Sequence, residues 1–327
     1  MKKNSDFKPA WWLRNPHLQT IWPAILRPAP KVDLVYESFE LSDGDFLQLA
    51  WLKDKDLSKP LVIVLHGLTG SVESSYVPGI LSAIEEAGWR GVLMHFRGAG
   101  SEHNRLHRGY HAGDTADLSE FVSYLKEQNP DRLLAAVGYS LGGNVLLKWL
   151  GETGSKNPLT AAVAVSVPFD LRKVLRRFST GFSRFYSRKL LRELRHSVVE
   201  KLSDTWAPLN LEKIKNAQTF PDFDNSYTAP AHGFLNANDY YERASCRHYL
   251  KYIEKPTLIL HSSDDPFMTP DSVPEESELS KSVTLEVSEQ GGHVGFVTGR
   301  WPWAAEYWLE NRIRNFLAQH LNTSIPS

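Results

Sequence analysis

Apolar positions along this chain fall into two kinds of run. One kind is short and nearly unbroken: Leu61-Val62-Ile63-Val64-Leu65, Gly91 to His95, Leu133 to Val137, Ala161 to Val167, Pro256 to His261 and Val283 to Val287. Such runs, without strict alternation, mark strands buried on both faces of a sheet. Between them lie segments of helical period: Val77 to Ala87, Asp114 to Gln128, where Asp114 or Thr115 can cap the first turn, and Asn144 to Leu150. This βαβα rhythm predicts an α/β fold, with a mostly parallel central sheet and helices on both faces. Ahead of it, Leu34 to Leu41 and Phe46 to Leu52 flank Ser42-Asp43-Gly44-Asp45, whose Asp-Gly predicts an antiparallel hairpin.

The rhythm breaks at Pro168-Phe169-Asp170. Residues 170–245 hold no strand-like run and are expected to form a helical cap inserted above the sheet. From Leu171 to Arg195 the apolar positions Leu171, Val174, Leu175, Phe178, Phe182, Phe185, Tyr186, Leu190 and Leu194 recur at helical gaps, and nine Lys or Arg fill other positions. That basic face reads as solvated surface; the sharper alternative is docking to an anionic membrane surface or to acyl chains. The chain closes on a tryptophan-rich helix, Trp303 to His320. Four prolines between 9 and 28 argue against a long helix at the start, while Trp11, Trp12 and Trp22 call for burial. The expected division is an arm over 1–30 packed on the body, an α/β core over 31–169 and 246–321, a cap over 170–245 and a flexible tail over 322–327.

Candidate chemistry begins where the strand ending at Val137 meets the helix from Asn144. Gly138-Tyr139-Ser140-Leu141-Gly142 has the Gly-x-Ser-x-Gly spacing of a nucleophile elbow, in the strand-turn-helix setting that such a turn requires. A serine hydroxyl needs a base, and the base needs a group to orient it. In chain order the partners follow on loops after later strands: Ser262-Ser263-Asp264-Asp265-Pro266, then Glu289-Gln290-Gly291-Gly292-His293. His293 is the expected base. Asp264 and Asp265 compete for the acid; Asp265 matches a Gly-x-x-Asp pattern with Ser262 in the glycine place, and Asp264 would then cap the following turn. For the oxyanion the expected donors are the backbone N–H groups of Leu141, next after the serine, and of Leu68 in the turn after Leu65.

Composition changes this picture little. With 42% hydrophobic and 23% charged residues and a net charge of −1, the chain is an ordinary globular one, without the basic excess that a nucleic-acid partner requires. The single cysteine, Cys246, excludes an intramolecular disulfide and a multi-cysteine zinc site. No apolar run follows the basic residues near Met1, and none is long enough to span a bilayer, so a cytoplasmic location is the default. His103, His107 and His111 recur every four residues, yet glycines at 98, 100, 109 and 113 argue against a helix that would converge them on a metal. Loop histidines are expected, with no metal or cofactor.

His66-Gly67, Gly138 to Asn144, Ser263-Asp264-Asp265-Pro266 and Gly291-Gly292-His293 together resemble an α/β-hydrolase. Arg14-Asn15-Pro16-His17-Leu18-Gln19-Thr20, with Phe96-Arg97-Gly98 and Tyr110-His111-Ala112-Gly113-Asp114, resembles the YheT-like hydrolases, also called AB hydrolase family 4. The resemblance implies a carboxylic-ester hydrolase with a Ser-Asp-His triad, in a family whose eukaryotic relatives include phospholipid hydrolases and acyl-CoA:ethanol acyltransferases. The expectation is therefore a serine esterase acting through an acyl-enzyme on a small-molecule ester of short- to medium-chain acyl groups. Acyl transfer to an alcohol uses the same triad and stays open. A non-catalytic binding protein of this fold would lack a triad member or an elbow glycine, and none is missing here.

Overall fold

The computed structural model describes residues 1–54, 56–204 and 209–321; the tail over 322–327, expected to be flexible, lies outside them. Nine strands form one sheet among the described residues: β1 (Lys2–Asn4), β2 (Leu34–Glu40), β3 (Phe46–Leu52), β4 (Leu61–Leu65), β5 (Arg90–Met94), β6 (Leu134–Tyr139), β7 (Ala161–Val165), β8 (Thr257–Ser262) and β9 (Val283–Ser288). Their spatial order is β1-β9-β8-β7-β6-β4-β5-β3-β2, parallel throughout except that β3 runs against both β5 and β2. The β2–β3 turn carries Gly44 at φ 84°, the left-handed conformation that makes Asp-Gly a hairpin signal.

Why the buried strands lack alternation is visible in β4. Leu61, Ile63 and Leu65 face one core, with Phe121 and Leu125 of α3 (Ala116–Gln128) and Leu147 and Leu150 of α4 (Leu141–Thr153). Val62 and Val64 face the other, with Ile80 and Ile84 of α2 (Val77–Glu86) and Ile313 and Leu317 of the C-terminal helix. With helices on both faces, every position of such a strand is a core position.

Two elements near the amino terminus are absent from the sequence reading. β1 adds a parallel edge strand beside β9, and a helix, α1 (Pro16–Leu26), runs through a segment with two of the four prolines. Pro16 sits in the first turn, where its missing N–H costs nothing, and the Asn15 side chain accepts from the N–H groups of His17 and Leu18. Only Pro23 interrupts the helical hydrogen bonding.

No described strand occurs between β7 and β8. That stretch holds α5 (Leu171–Phe178), α6 (Ser183–Asp204), α7 (Leu211–Lys215), α8 (Phe220–Phe223), α9 (Ala229–His232) and α10 (Ala237–Ala244), and the C-terminal helix is α11 (Trp308–Ala318). Val174, Phe178, Leu191, Val198, Phe220 and Phe223 form an apolar cluster of their own above the sheet. Phe182 and Phe185, which share the helical gaps of the other apolar positions, are exposed, because α5 ends at Phe178 and α6 restarts the helical phase at Ser183.

Candidate active site

Strand order decides where chemistry can occur. β5 follows β4 in the chain and pairs on one side of it, whereas β6 pairs on the other, so the loops leaving β4 and β6 part at a crevice at the carboxyl ends of the strands. The β4 loop carries Leu68 and the β6 turn carries Ser140.

Ser140 has φ 50° and ψ −116°, a conformation rarely held by a residue with a side chain. The turn is close enough that a Cβ on Gly138 would lie 2.5 Å from the Gly142 carbonyl oxygen, and one on Gly142 would lie 2.6 Å from that of His66. Both elbow glycines are thus fixed by close approach. Leu141 opens α4, and its N–H has no acceptor among the described residues. Behind it, the fully buried Asn144 side chain donates to the carbonyls of Ala112 (2.7 Å) and Ala244 (2.8 Å) and accepts from the Cys246 N–H (2.9 Å), joining three segments beneath the elbow.

The Leu68 loop is pinned on both sides. Gly67 N–H donates to the Tyr76 hydroxyl (2.8 Å), Thr69 N–H to the Tyr110 hydroxyl (2.9 Å), and the Thr69 hydroxyl to Glu193 of α6 (3.0 Å). Leu68 N–H, between them, has no acceptor among the described residues. His66 steadies the base of the loop: Nε2 accepts from Phe96 N–H (3.1 Å), which leaves Nδ1–H to donate to the Gly67 carbonyl (2.7 Å). Burial pushes its pKa down to about 3, so the ring is neutral.

His293 Nε2 lies 3.0 Å from Ser140 Oγ and Nδ1 lies 2.7 Å from Asp265 Oδ2, while the ring stacks on Phe267 at 4.0 Å. Asp264 is elsewhere: its Oδ1 accepts from the Ser262 hydroxyl and the Gly292 N–H (2.9 Å). The turn after the strand is capped by Asp265 itself, whose Oδ1 accepts from Phe267 N–H (2.8 Å), not by Asp264 as expected.

Three consecutive N–H groups hold the histidine loop, each by a side-chain oxygen from a different segment. Gly292 donates to Asp264 Oδ1, His293 to Thr20 Oγ1 (2.9 Å) and Val294 to Ser166 Oγ (3.0 Å). Gly292 has φ 61°, and a Cβ there would come within 2.6 Å of the Pro16 carbonyl oxygen of α1. Gln19, fully buried, donates to the Leu13 and Val297 carbonyls and accepts from Val297 N–H, tying α1 to the chain after the histidine. Sequence reasoning missed Thr20, Ser166, Glu193, Tyr76 and Tyr110. Only the Asn-Pro-His-Leu-Gln-Thr segment carries a signal, as a mark of family resemblance on an arm expected to pack on the body, and it assigns Thr20 no role.

Ser140, Leu141, Leu68 and His293 line one cavity of about 590 Å³. Its wall toward α5 and α8 is apolar, with Leu171, Val174, Phe178 and Phe223, while α6 presents Leu194 and Val198 together with Lys189, Glu193, Ser197 and Lys201; α1 contributes Thr20, Pro23 and Ala24.

The loop histidines do not converge with one another: His111 meets Asp114 and His232 instead, with ligand-type atoms within 4.8 Å. The surroundings oppose a cation. Arg108 reaches Asp114 (3.4 Å), and His111 Nδ1 already accepts from Gly113 N–H (3.1 Å). Asp114, read as a possible helix cap, is buried in this cluster, and Thr115 at the cap position makes no side-chain capping bond.

A parallel-sheet core, a strained serine at the strand-to-helix turn and a histidine loop after β9 define an α/β hydrolase, and residues 60–300 match the family model described as the alpha/beta hydrolase fold. The chain belongs to that family and, within it, to the YheT-like group. It is 41% identical over 322 residues to YheT of Escherichia coli, whose name assigns it provisionally to the esterases, covering 97% of this chain and 94% of that protein. Phospholipase ABHD3 of Mus musculus is 29% identical over 92% of this chain and 75% of its own. Medium-chain fatty acid ethyl ester synthase/esterase 2 of Saccharomyces cerevisiae is 32% identical over 76% of this chain and 61% of its own. Among solved structures, the Pyrococcus furiosus esterase Pf2001 shares the fold, with a TM-score of 0.57 at 20% identity over 89% of this chain and 94% of its own.

Proposed function

We propose that the protein is a carboxylic-ester hydrolase in which Ser140 is the nucleophile, His293 the general base, Asp265 the orienting acid, and the Leu68 and Leu141 N–H groups the oxyanion donors. The observation that carries this reading is the His293 ring spanning Ser140 Oγ (3.0 Å) and Asp265 Oδ2 (2.7 Å). Ser140 Oγ attacks the ester carbonyl as its proton passes to His293 Nε2, and Asp265 stabilises the imidazolium. The carbonyl oxygen, now anionic, accepts from the two backbone N–H groups, each such donor contributing about 100-fold or more. Collapse breaks the ester bond, His293 returns its proton to the departing alcohol, and a water activated by His293 then releases the acid from Ser140. The esterase relatives support this reading. A cavity of about 590 Å³ whose α5 and α8 wall is apolar fits a short- to medium-chain acyl group.

Capture of the acyl-enzyme by an alcohol is the second reading, favoured by the yeast relative named as both synthase and esterase. The test is turnover of p-nitrophenyl esters of graded acyl length, with and without added ethanol. Ser140→Ala should abolish turnover, a loss on the order of 10⁶ in kcat, and a fluorophosphonate should label the wild type but not the variant. Turnover that survives in Ser140→Ala would overturn the assignment, and ethyl ester formed in place of acid would favour acyl transfer.

A further inference from the structure

The cavity rim is marked by lining residues that are themselves exposed: Ala24 of α1, Glu73, and Lys189 and Ser197 of α6. Directly beside this rim the surface is apolar. Ile25 and Leu26 follow Ala24, and Phe185 lies one turn before Lys189 on the same side of α6. His17 packs its ring on Phe182 at 4.7 Å, and Phe182 on Phe185 at 5.8 Å, so the two helices share one patch. Leu18, Ile25, Leu26, Phe182 and Phe185 are each between 51% and 72% exposed, well beyond scattered surface leucines.

The charge left unpaired along the patch is basic. Between residues 171 and 192 there are eight Lys or Arg and no Asp or Glu, and of the eight Arg172, Lys173 and Lys189 pair with Glu242, Asp271 and Glu193. Arg184, Arg188 and Arg192 recur every four residues along α6, are exposed, and have no ion-pair partner among the described residues. Exposed aromatic and aliphatic side chains bordered by unpaired arginines complement an interface whose headgroups are anionic and whose interior is apolar. An acidic protein surface would match the arginines but leave the phenylalanines and leucines wet.

We propose that this rim, formed by α1 and the first turns of α6, docks on an anionic lipid surface, with Leu18, Ile25, Leu26, Phe182 and Phe185 entering the headgroup layer and Arg184, Arg188 and Arg192 facing lipid phosphates. Such a pose faces the cavity rim toward the lipid. Among the described residues no helix is long and apolar enough to cross a membrane, so the contact is peripheral.

The test is flotation of the full chain with phosphatidylcholine vesicles, with and without phosphatidylglycerol, at low and high salt. The protein should float with the anionic vesicles and release as salt rises. Phe182→Ser with Phe185→Ser should abolish flotation, and Arg184→Gln and Arg188→Gln should each weaken it about fivefold. Circular dichroism melts and hydrolysis of a soluble short-chain ester should match wild type in every variant, since none of these four side chains lines the cavity; if the ester is not turned over, the melts alone establish folding and the vesicle result still stands. Absence of flotation at low salt, equal flotation on neutral and anionic vesicles, or undiminished flotation of the folded variants would each overturn the proposal.

Discussion

Two neighbouring carboxylates are given different work by the direction of their side chains. Asp265, with a fully buried side chain, reaches His293, whereas Asp264 reaches the backbone of Gly292. Substituting Asp265→Asn should therefore lower kcat by about 10⁴, through loss of the imidazolium's partner. Asp264→Asn, which only loosens the loop, should cost no more than about 100-fold. Steady-state kinetics on one ester would separate them, and equal losses would refute the division of roles. Local sequence left this choice open because both residues follow the same strand end. Which of them turns inward depends on loop geometry, not on residue type. Ser140 and His293 were legible because each follows a strand in a glycine-rich turn, and backbone constraints of that kind are written locally. Thr20 and Ser166 were not, since a lone hydroxyl that receives a distant N–H leaves no pattern in its own neighbourhood.

Among elements, α1 departs furthest from the sequence reading. Its prolines argue against a long helix, but Pro16 stands where a proline favours a helix and Asn15 completes the cap. The helix places Thr20 against the histidine backbone and Gln19 against Val297. Thr20→Val keeps the shape and removes the acceptor, leaving the His293 N–H unpaired, and should reduce kcat about 10- to 100-fold with KM nearly unchanged. Thr20→Ser should restore most of it. A valine variant as active as wild type would reduce α1 to packing. The strands β4 to β9, in contrast, were read close to their observed limits, because continuous apolar runs have few alternatives in a chain that also supplies helices to cover them.

For the whole molecule, buried histidines set the response to acid. Burial pushes His66 and His232 down to about 3 and His261 to about 4, and His111 well below its ordinary value. Each binds its proton in the unfolded chain below pH ~6.5 but not in the folded one, so its contribution is complete above that pH and is lost as pH falls toward the folded value. Asp114 and Asp224 act oppositely: burial raises both to about 6, so their folded forms take up protons first and gain stability as pH falls from 6 toward 4. His17, His95 and His320 are lowered as well, and Asp264 and Glu310 raised, so the histidines still outnumber the carboxylates and stability should fall as pH drops from about 6 toward 4. Denaturant melts across that range should show it, and a flat profile would contradict the burial of these rings. One contact also bears on how the protein is made. The bond between Thr20 and His293 closes a span of 273 residues. A chain emerging from the ribosome presents its first helix long before the loop which that helix must hold, so this contact can form only after the last strand of the sheet has been made.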